Sequence, residues 1–389
     1  MNKVYNTQEK IASEMKEFLL KVNPNIRKTQ LKIIPYVSIG MILSESSVAS
    51  DIAKTLKDDF SLIHHESVIR RIKRLFKNKL FNPYNFYDDV IKKVISNYKS
   101  KHDDNRVHIT FDHMFSHDNY TVFMITMRVG KQGIPLWFRC FKNKDNSLAF
   151  NEQLLKEGIS YVSSLFDSSF KLIFLADRWF NSTSLMQYID SLGHTFCIRL
   201  KRNIKVFVYD KKEGHKIWKF LDEIQPYKYH SKSFHDILLT DSSFKTNIVI
   251  SKTVDVSEPW IIVTNGSTSR AIKDYGYRFG SIESLFKNQK SNGFYIESVV
   301  KADLNYFTSM YTLVCFSSLF LTILGTDYSK NSRCYKKVKI VTHKYFIENG
   351  IRVKKRVMSL FHTGLTLFHL AFNSSKYIRI PLTFTLYDI

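Results

Sequence analysis

The sequence has little that would cross-link it, stiffen it or send it out of a cell. Only four cysteines, Cys140, Cys197, Cys315 and Cys334, occur in 389 residues, and no two form a C-x-x-C pair. That spacing excludes a disulfide framework and a zinc site of paired cysteines, and it reads as reduced core thiols in a cytosolic chain. The thirteen histidines are scattered. His64-His65, His113 and His117 make no H-E-x-x-H or paired Cys/His spacing, so they read as structural or DNA-facing. The N-terminus, M-N-K-V-Y-N-T-Q-E-K, lacks the apolar core of a signal peptide, and no export is expected. Acids are the scarcest class relative to their opposites: 35 Asp and Glu against 58 Lys and Arg, a net charge of +23. A field of that size calls for a polyanionic partner, nucleic acid first and an anionic membrane second. One uncharged run, Tyr306 to Gly325, is long enough to cross a bilayer. It is rich in Ser, Thr and Tyr and stands alone, so a buried core helix is expected and no membrane partner.

What the chain does have is apolar and aromatic content, 44% and 14%. That suffices for a packed core and two or three domains. Residues 1–100 read as helical, punctuated by Pro24 and Pro35. Ser46-Ser47 precede an apolar pattern at Val48, Ile52, Ala53 and Leu56, a short helix with a Ser cap. After a turn at Asp58-Asp59, Val68, Ile69, Ile72, Leu75 and Phe76 form a helical stripe. Between them lie Arg70, Arg71, Lys73, Arg74, Lys77 and Lys79. A short helix, a turn and a basic amphipathic helix suggest a helix-turn-helix whose cations would neutralise phosphates. The alternative is the solvated basic face of an ordinary bundle. Asn82-Pro83-Tyr84 and residues 99–105 read as the connection to the next domain.

From residue 106 to about 200 the pattern changes to strands. Val107 to Phe111 is short and β-branched and runs into Asp112. Tyr120 to Val129 and Ile134 to Phe141 alternate around Gly130-Lys131-Gln132-Gly133, a hairpin signal. Leu148 to Leu165 has helical spacing. Phe170 to Ala176 is a nearly continuous apolar run, as in a buried central strand, and stops at Asp177. A helix near Thr183 to Leu192 and a strand at Thr195 to Leu200 complete a mixed sheet with flanking helices. An acid at a strand end can mean strand termination alone. If the two strands are neighbours, their carboxylates stand close together and repel, which calls for a divalent cation. Hard oxygen ligands select Mg²⁺ or Mn²⁺.

Residues 201–270 read as a β-rich insertion with polar loops. Trp260, in P-W-I-I-V-T-N, is either core or a platform for an unpaired base. Tyr275 to Gly293 then places Glu283, Lys287 and Lys290 at i, i+4 and i+7 of a helix starting near Ile282. Alone this is a salt-bridge ladder. With Asp112 and Asp177 upstream, Glu283 becomes a candidate third ligand. Residues 326–380 carry twelve Lys or Arg against two acids, Asp327 and Glu348, a net +10 able to track DNA. Val357 to Phe372 is apolar enough for a helix.

Taken together, V-H-I-T-F-D-H, L-A-D-R-W-F and the Tyr275–Gly293 stretch resemble a DDE transposase of bacterial insertion sequences. The similarity is to the cut-and-paste subgroup marked by a Tyr, Arg, Glu, Lys signature, and it covers about residues 30–325. It implies an α/β protein: an RNase H-like catalytic core over 106–200 and 271–325, interrupted by the β-rich insertion at 201–270. A helical DNA-binding domain over 1–100 and a basic C-terminal region over 326–389 would flank it. It implies that Asp112, Asp177 and Glu283 are the catalytic residues and hold two divalent ions, Mg²⁺ or Mn²⁺. Arg278 and Lys290 would grip phosphates, with Tyr275 at the terminal phosphate and Tyr277 competing for that role. Double-stranded DNA, as element end and as target, a homodimeric synaptic complex, hairpin ends and a cytoplasmic, nucleoid-associated location are implied by the same resemblance. The signature spacing departs at one point: four residues, not three, separate Arg278 from Glu283, and Gly280-Ser281 offers a loop and N-cap to absorb the extra one. Two other readings stand beside it, a catalytically inactive DNA-binding derivative and an RNase H-like nuclease without strand transfer.

Overall fold

A computed structural model describes residues 2–56, 64–100, 105–116, 119–145, 151–210, 212–224, 231–240, 244–252, 258–299, 302–331, 335, 338–348, 351–373 and 384–388. The expected turn at Asp58-Asp59, residues 101–104 of the expected connection, the start of the Leu148 helix, His117, Cys334 and the cations Arg333, Lys336, Lys337, Lys376 and Arg379 lie outside the described residues.

Five helices open the chain: α1 (Asn2–Val22), α2 (Lys28–Ser44), α3 (Ala49–Thr55), α4 (His65–Phe76) and α5 (Pro83–Ser96). Burial in α4 follows its stripe: Val68, Ile69, Ile72, Leu75 and Phe76 are buried, and the cations between them are exposed. Three expectations fail here. Pro35 does not break the chain but sits inside α2, whose surroundings bury ten consecutive or near-consecutive positions from Gln30 to Ile42. Asn82-Pro83-Tyr84 is not a linker but the start of α5. The Asn82 side chain accepts the N–H of Asn85, and Pro83 takes the first helical position, where its missing N–H costs nothing. The expected Ser cap is not formed either: the N-cap position of α3 is Val48, and the Ser46 hydroxyl accepts from Val48 N–H and donates to Asp51.

The sheet begins with β1 (Arg106–Ser116), β2 (Tyr120–Val129) and β3 (Gln132–Lys142), an antiparallel meander. Only Gly130 and Lys131 separate β2 from β3, and Gly130 adopts φ 57°, as a tight hairpin requires. Helix α6 (Glu152–Ser164) leads to β4 (Lys171–Ala176), and α7 (Thr183–Ser191) to β5 (Thr195–Arg199). Strand β4 runs parallel to β1 on one side and to β5 on the other. The region expected as an insertion continues this sheet. Strands β6 (Lys205–Tyr209), β7 (Lys216–Phe220), β8 (Ser231–Leu239), β9 (Lys245–Ser251) and β10 (Trp260–Thr264) extend it to ten strands, in the order β3-β2-β1-β4-β5-β10-β9-β8-β6-β7.

Helices α8 (Thr268–Gly276) and α9 (Ile282–Lys290) lie on one face of this sheet. Then α10 (Leu304–Lys330) runs through the interior, with every residue from Tyr306 to Tyr328 buried, so the uncharged run is a core helix as expected. It packs against α2, α4, α5, β3 and α11 (Leu360–Asn373). One apolar cluster spans Ile11 of α1, Phe111 of β1, Phe316 of α10 and Leu386 near the C-terminus. Cys140, Cys197 and Cys315 are buried free thiols. Between α10 and α11 an isolated ribbon, β11 (His343–Glu348) and β12 (Ile351–Arg356), stands apart from the large sheet.

Candidate active site

Pleating decides what faces α8 and α9. Along β1, Phe111 turns to the side where it meets Phe123 and Phe180, while Thr110 and Asp112 point to the opposite side. Asp112 was expected past the end of a strand. It is instead inside β1, opposite Met124 of β2. The expectation holds only toward β4, because the parallel pairing stops at Thr110 and Leu175. Beyond that point β4 gives way to Asp177, which accepts the N–H of Arg178 at 2.7 Å and starts a short 3-10 turn. Two acids thus emerge at the same end of neighbouring parallel strands.

Glu283 arrives from across the sheet. The backbone of Ser281 sits against Gly133 of β3, where an added Cβ would come within 2.8 Å of the Ser281 carbonyl oxygen. Only glycine permits that approach. Ser281 was expected to cap α9. Its hydroxyl instead bonds Thr126 of β2 at 3.3 Å, which anchors the helix start to the sheet. The extra residue between Arg278 and Glu283 falls in the turn between α8 and α9, where Ser281 N–H donates to Arg278 C=O. Glu283 therefore lies in the first turn of α9, on an exposed face shared with Lys287.

Arg278 stands at the centre. Its Nη1 donates to Glu283 Oε1 at 3.0 Å, its Nη2 bonds Asp112 Oδ2, and the same Nη2 lies 3.9 Å from Asp177 Oδ2. The residue is only 5% exposed. Three carboxylates thus converge on one guanidinium. Burial pushes the carboxyl of Asp112 above the usual range; Arg278 and the His113 N–H oppose this, and Asp177 adds to it. Glu283 is raised for the same reasons, burial first, with Asp112 and Asp177 adding repulsion against the pull of Arg278. Burial alone would make Arg278 easier to deprotonate, but the carboxylates more than reverse that and raise its pKa. Among the described residues, two buried polar atoms beside this cluster have no hydrogen-bond partner, Arg278 Nε and the Tyr275 hydroxyl.

The remaining sequence candidates are dispersed. Tyr275 is fully buried, edge-on to Trp260 at 5.3 Å, with burial pushing its hydroxyl up to about 12. Tyr277 faces away from the carboxylates, stacked under Arg128 at 4.1 Å and edge-on to His108. Of the two tyrosines, Tyr275 is the one beside the cluster. Trp260 is half-buried and stacks on Phe279 at 5.4 Å, so an aromatic pair borders the site. Lys290 pairs with Glu297 at 3.0 Å, not with Glu283. Arg70, Arg71, Lys73 and Arg74 are all exposed on α4, and Arg71 and Arg74 line a groove of about 340 Å³ against Gln30 and Lys32 of α2.

Three features escaped the sequence reading. Arg278 was expected on a phosphate; its place among the carboxylates depends on a turn that no pattern encodes. Trp179, next to Asp177, is 74% exposed with the Lys201 ammonium 5.3 Å from its ring, and an exposed Trp in L-A-D-R-W-F was a usable signal. Asp274 of α8 binds both Arg106 at 2.6 Å and His108 at 3.1 Å on the start of β1, fixing α8 to the sheet.

The donor chemistry of the cluster fits a divalent ion, since three carboxylates supply hard oxygens around one point. As placed, Arg278 takes the Asp112 and Glu283 oxygens that such an ion would need. Among the described residues, no group of three or more His, Cys, Asp or Glu is arranged to hold a metal as it stands.

No family model matches the chain, and no curated protein does. Among solved structures it is similar to the cryo-EM structure of a piggyBac transposase synaptic complex with hairpin DNA. The identity is 12%, the match covers 96% of this chain and 81% of that one, and the TM-score is 0.43. A likeness at that level leaves the chemistry to be argued from the residues.

Proposed function

We propose that the chain is a DNA transposase of the DDE class, cleaving phosphodiesters at element ends and joining them to target DNA. The observation that carries this reading is the convergence of Asp112, Asp177 and Glu283 on the Arg278 guanidinium, beside the point where the pairing of adjacent parallel strands stops. The same arrangement supports an RNase H-like core. Asp112, Asp177 and Glu283 would hold Mg²⁺ or Mn²⁺. When bound, a pair of such ions activates a water or a 3′-hydroxyl and stabilises the leaving oxygen. Arg278 is the resident counter-charge and keeps the carboxylates together. When DNA enters, its guanidinium moves to a phosphate, where the Nε supplies a further donor. Trp260, Phe279 and Trp179 border the site with π-faces on which an unpaired base can stack. The charge of +23 and the exposed cations of α4 hold the duplex.

The test is cleavage, with Mg²⁺, of duplexes bearing the sequences that flank this chain's own gene. Asp112→Ala, Asp177→Ala and Glu283→Ala should each abolish cleavage and leave duplex binding intact. Cleavage retained in any one removes that residue from the site. A second reading has its own support. Arg278 is paired directly to two of the three carboxylates, as a permanent structural counter-ion would be. The chain would then be a DNA-binding derivative without catalysis. Wild-type protein that binds duplex DNA but never nicks it in Mg²⁺ or Mn²⁺ would establish that reading.

A further inference from the structure

The ribbon formed by β11 and β12 carries five Lys or Arg against one acid, Glu348. Its register places His343, Tyr345 and Ile347 opposite Arg356, Lys354 and Arg352 on one face. Lys344, Phe346 and Glu348 lie opposite Lys355, Val353 and Ile351 on the other. Glu348 pairs with Lys355, so the only acid is neutralised within its own face. The first face holds no acid. Arg352 lies 4.1 Å over the Tyr345 ring, and Ile347 is 81% exposed. Arg356 anchors the base, its Nε donating to Met358 C=O at 2.8 Å and its Nη2 to Ser329 at 3.0 Å. A two-stranded ribbon is marginally stable in water on its own, and among the described residues no further strand pairs with this one. Every β11 residue is exposed, including Tyr345, Phe346 and Ile347. Such apolar exposure beside unopposed cations has the chemistry of a nucleic-acid contact.

We infer that this ribbon enters the major groove of duplex DNA, with Arg352 and Lys354 on phosphates and Ile347 toward the base edges. The major groove, roughly 12 Å wide, admits a two-stranded ribbon without distortion, whereas the minor groove, about 6 Å wide, must be deformed to take one. Thymine methyl groups in the major groove are the apolar partners that Ile347 lacks. The inference rests on DNA being this protein's polymer, as in the proposed function, but not on catalysis.

The experiment measures binding of a fluorescein-labelled duplex of mixed sequence, roughly four helical turns long. It is run in EDTA and in an Asp112→Ala background, so cleavage plays no part. Arg352→Ala with Lys354→Ala should flatten the plot of log affinity against log salt by about 2, near 0.9 per phosphate lost. Lys344→Ala with Lys355→Ala, on the opposite face, should leave the slope near wild type. Ile347→Ala should weaken binding with the slope unchanged. Dimethyl sulfate should show guanine N7 protected under the ribbon. Circular dichroism should report a wild-type melt for each variant, because the ribbon lies outside the core. An unchanged slope in Arg352→Ala with Lys354→Ala overturns the inference. So does protection at adenine N3, which reads the minor groove. A sedimenting mass that drops in Ile347→Asp overturns it too, since the ribbon then binds a second copy of the chain. If the ribbon variants behave as expected while wild-type protein never nicks DNA in Mg²⁺ or Mn²⁺, the ribbon stands and the transposase reading fails.

Discussion

Arg278 decides how the carboxylate cluster behaves. Removing one partner of a buried ionic cluster leaves the others uncompensated. Arg278→Ala would leave the three carboxylates without the guanidinium that holds them together. Asp112 and Glu283 are partly exposed, so water screens some of the repulsion and the expected loss is roughly 1–3 kcal/mol. The melting temperature of this variant in EDTA should fall by several degrees, and millimolar Mn²⁺ should restore part of it, because the ion replaces the guanidinium. A melt indifferent to Mn²⁺ would show that the carboxylates cannot share an ion. Glu283 gives a second residue-level test. Its folded pKa is raised, so the folded state holds its proton more tightly than the unfolded chain. That contribution is fully present below the ordinary carboxylate range and is lost as pH rises through the raised value. Glu283→Gln never ionises. Its melting temperature relative to wild type should therefore climb as pH goes from about 4 to about 8. A flat difference across that range counts against the desolvated carboxylate.

At the scale of elements, the α4 stripe and the Phe170–Ala176 run were legible because the first is buried along a single face and the second from Leu172 to Ala176 without a break. The helix carrying Glu283 was legible for its start at Ile282 and for the shared face of Glu283 and Lys287. Asp112 was misread because a strand end is not a property of one strand: β1 ends toward β4 at Thr110 but continues along β2 to Ser116. The ribbon was invisible because neither of its faces is apolar, so alternation carries no signal; only its charge showed. Another hidden contact is the crossing of α10 and α11. A Cβ on Gly325 would fall 1.9 Å from the Leu360 carbonyl oxygen, and one on Gly364 would fall 1.9 Å from that of Leu321. The two backbones touch. Gly325→Ala and Gly364→Ala must therefore push the helices apart, at about 1–3 kcal/mol each. Both act on one contact, so the double variant should cost less than the sum. Urea unfolding of the three variants measures this, and an additive double variant would mean that the helices adjust independently at the two points.

For the whole molecule, the +23 charge was the most legible property and the least specific. It points to a polyanion without saying which surface meets it. The structure narrows the choice, since Arg70, Arg71, Lys73 and Arg74 sit exposed on a helix whose opposite side is fastened to the core by Val68, Ile72 and Phe76. A rigid basic helix of this kind holds its cations at fixed spacing, so those that meet phosphates do so without ordering a flexible segment. Phosphate contacts and base contacts then separate by experiment. A cation on a phosphate, when changed to Ala, should weaken binding to every duplex alike and lower the salt slope by about 0.9. A cation at a base edge should instead lose about 1–3 kcal/mol of preference for one base pair. Fluorescence anisotropy on Arg70→Ala, Arg71→Ala, Lys73→Ala and Arg74→Ala, each across a salt series and on both flank and scrambled duplexes, sorts the four. We expect most to behave as phosphate contacts. If all four leave both slope and preference at wild-type values, α4 is only the solvated face of a bundle, and the +23 field has its partner surface elsewhere.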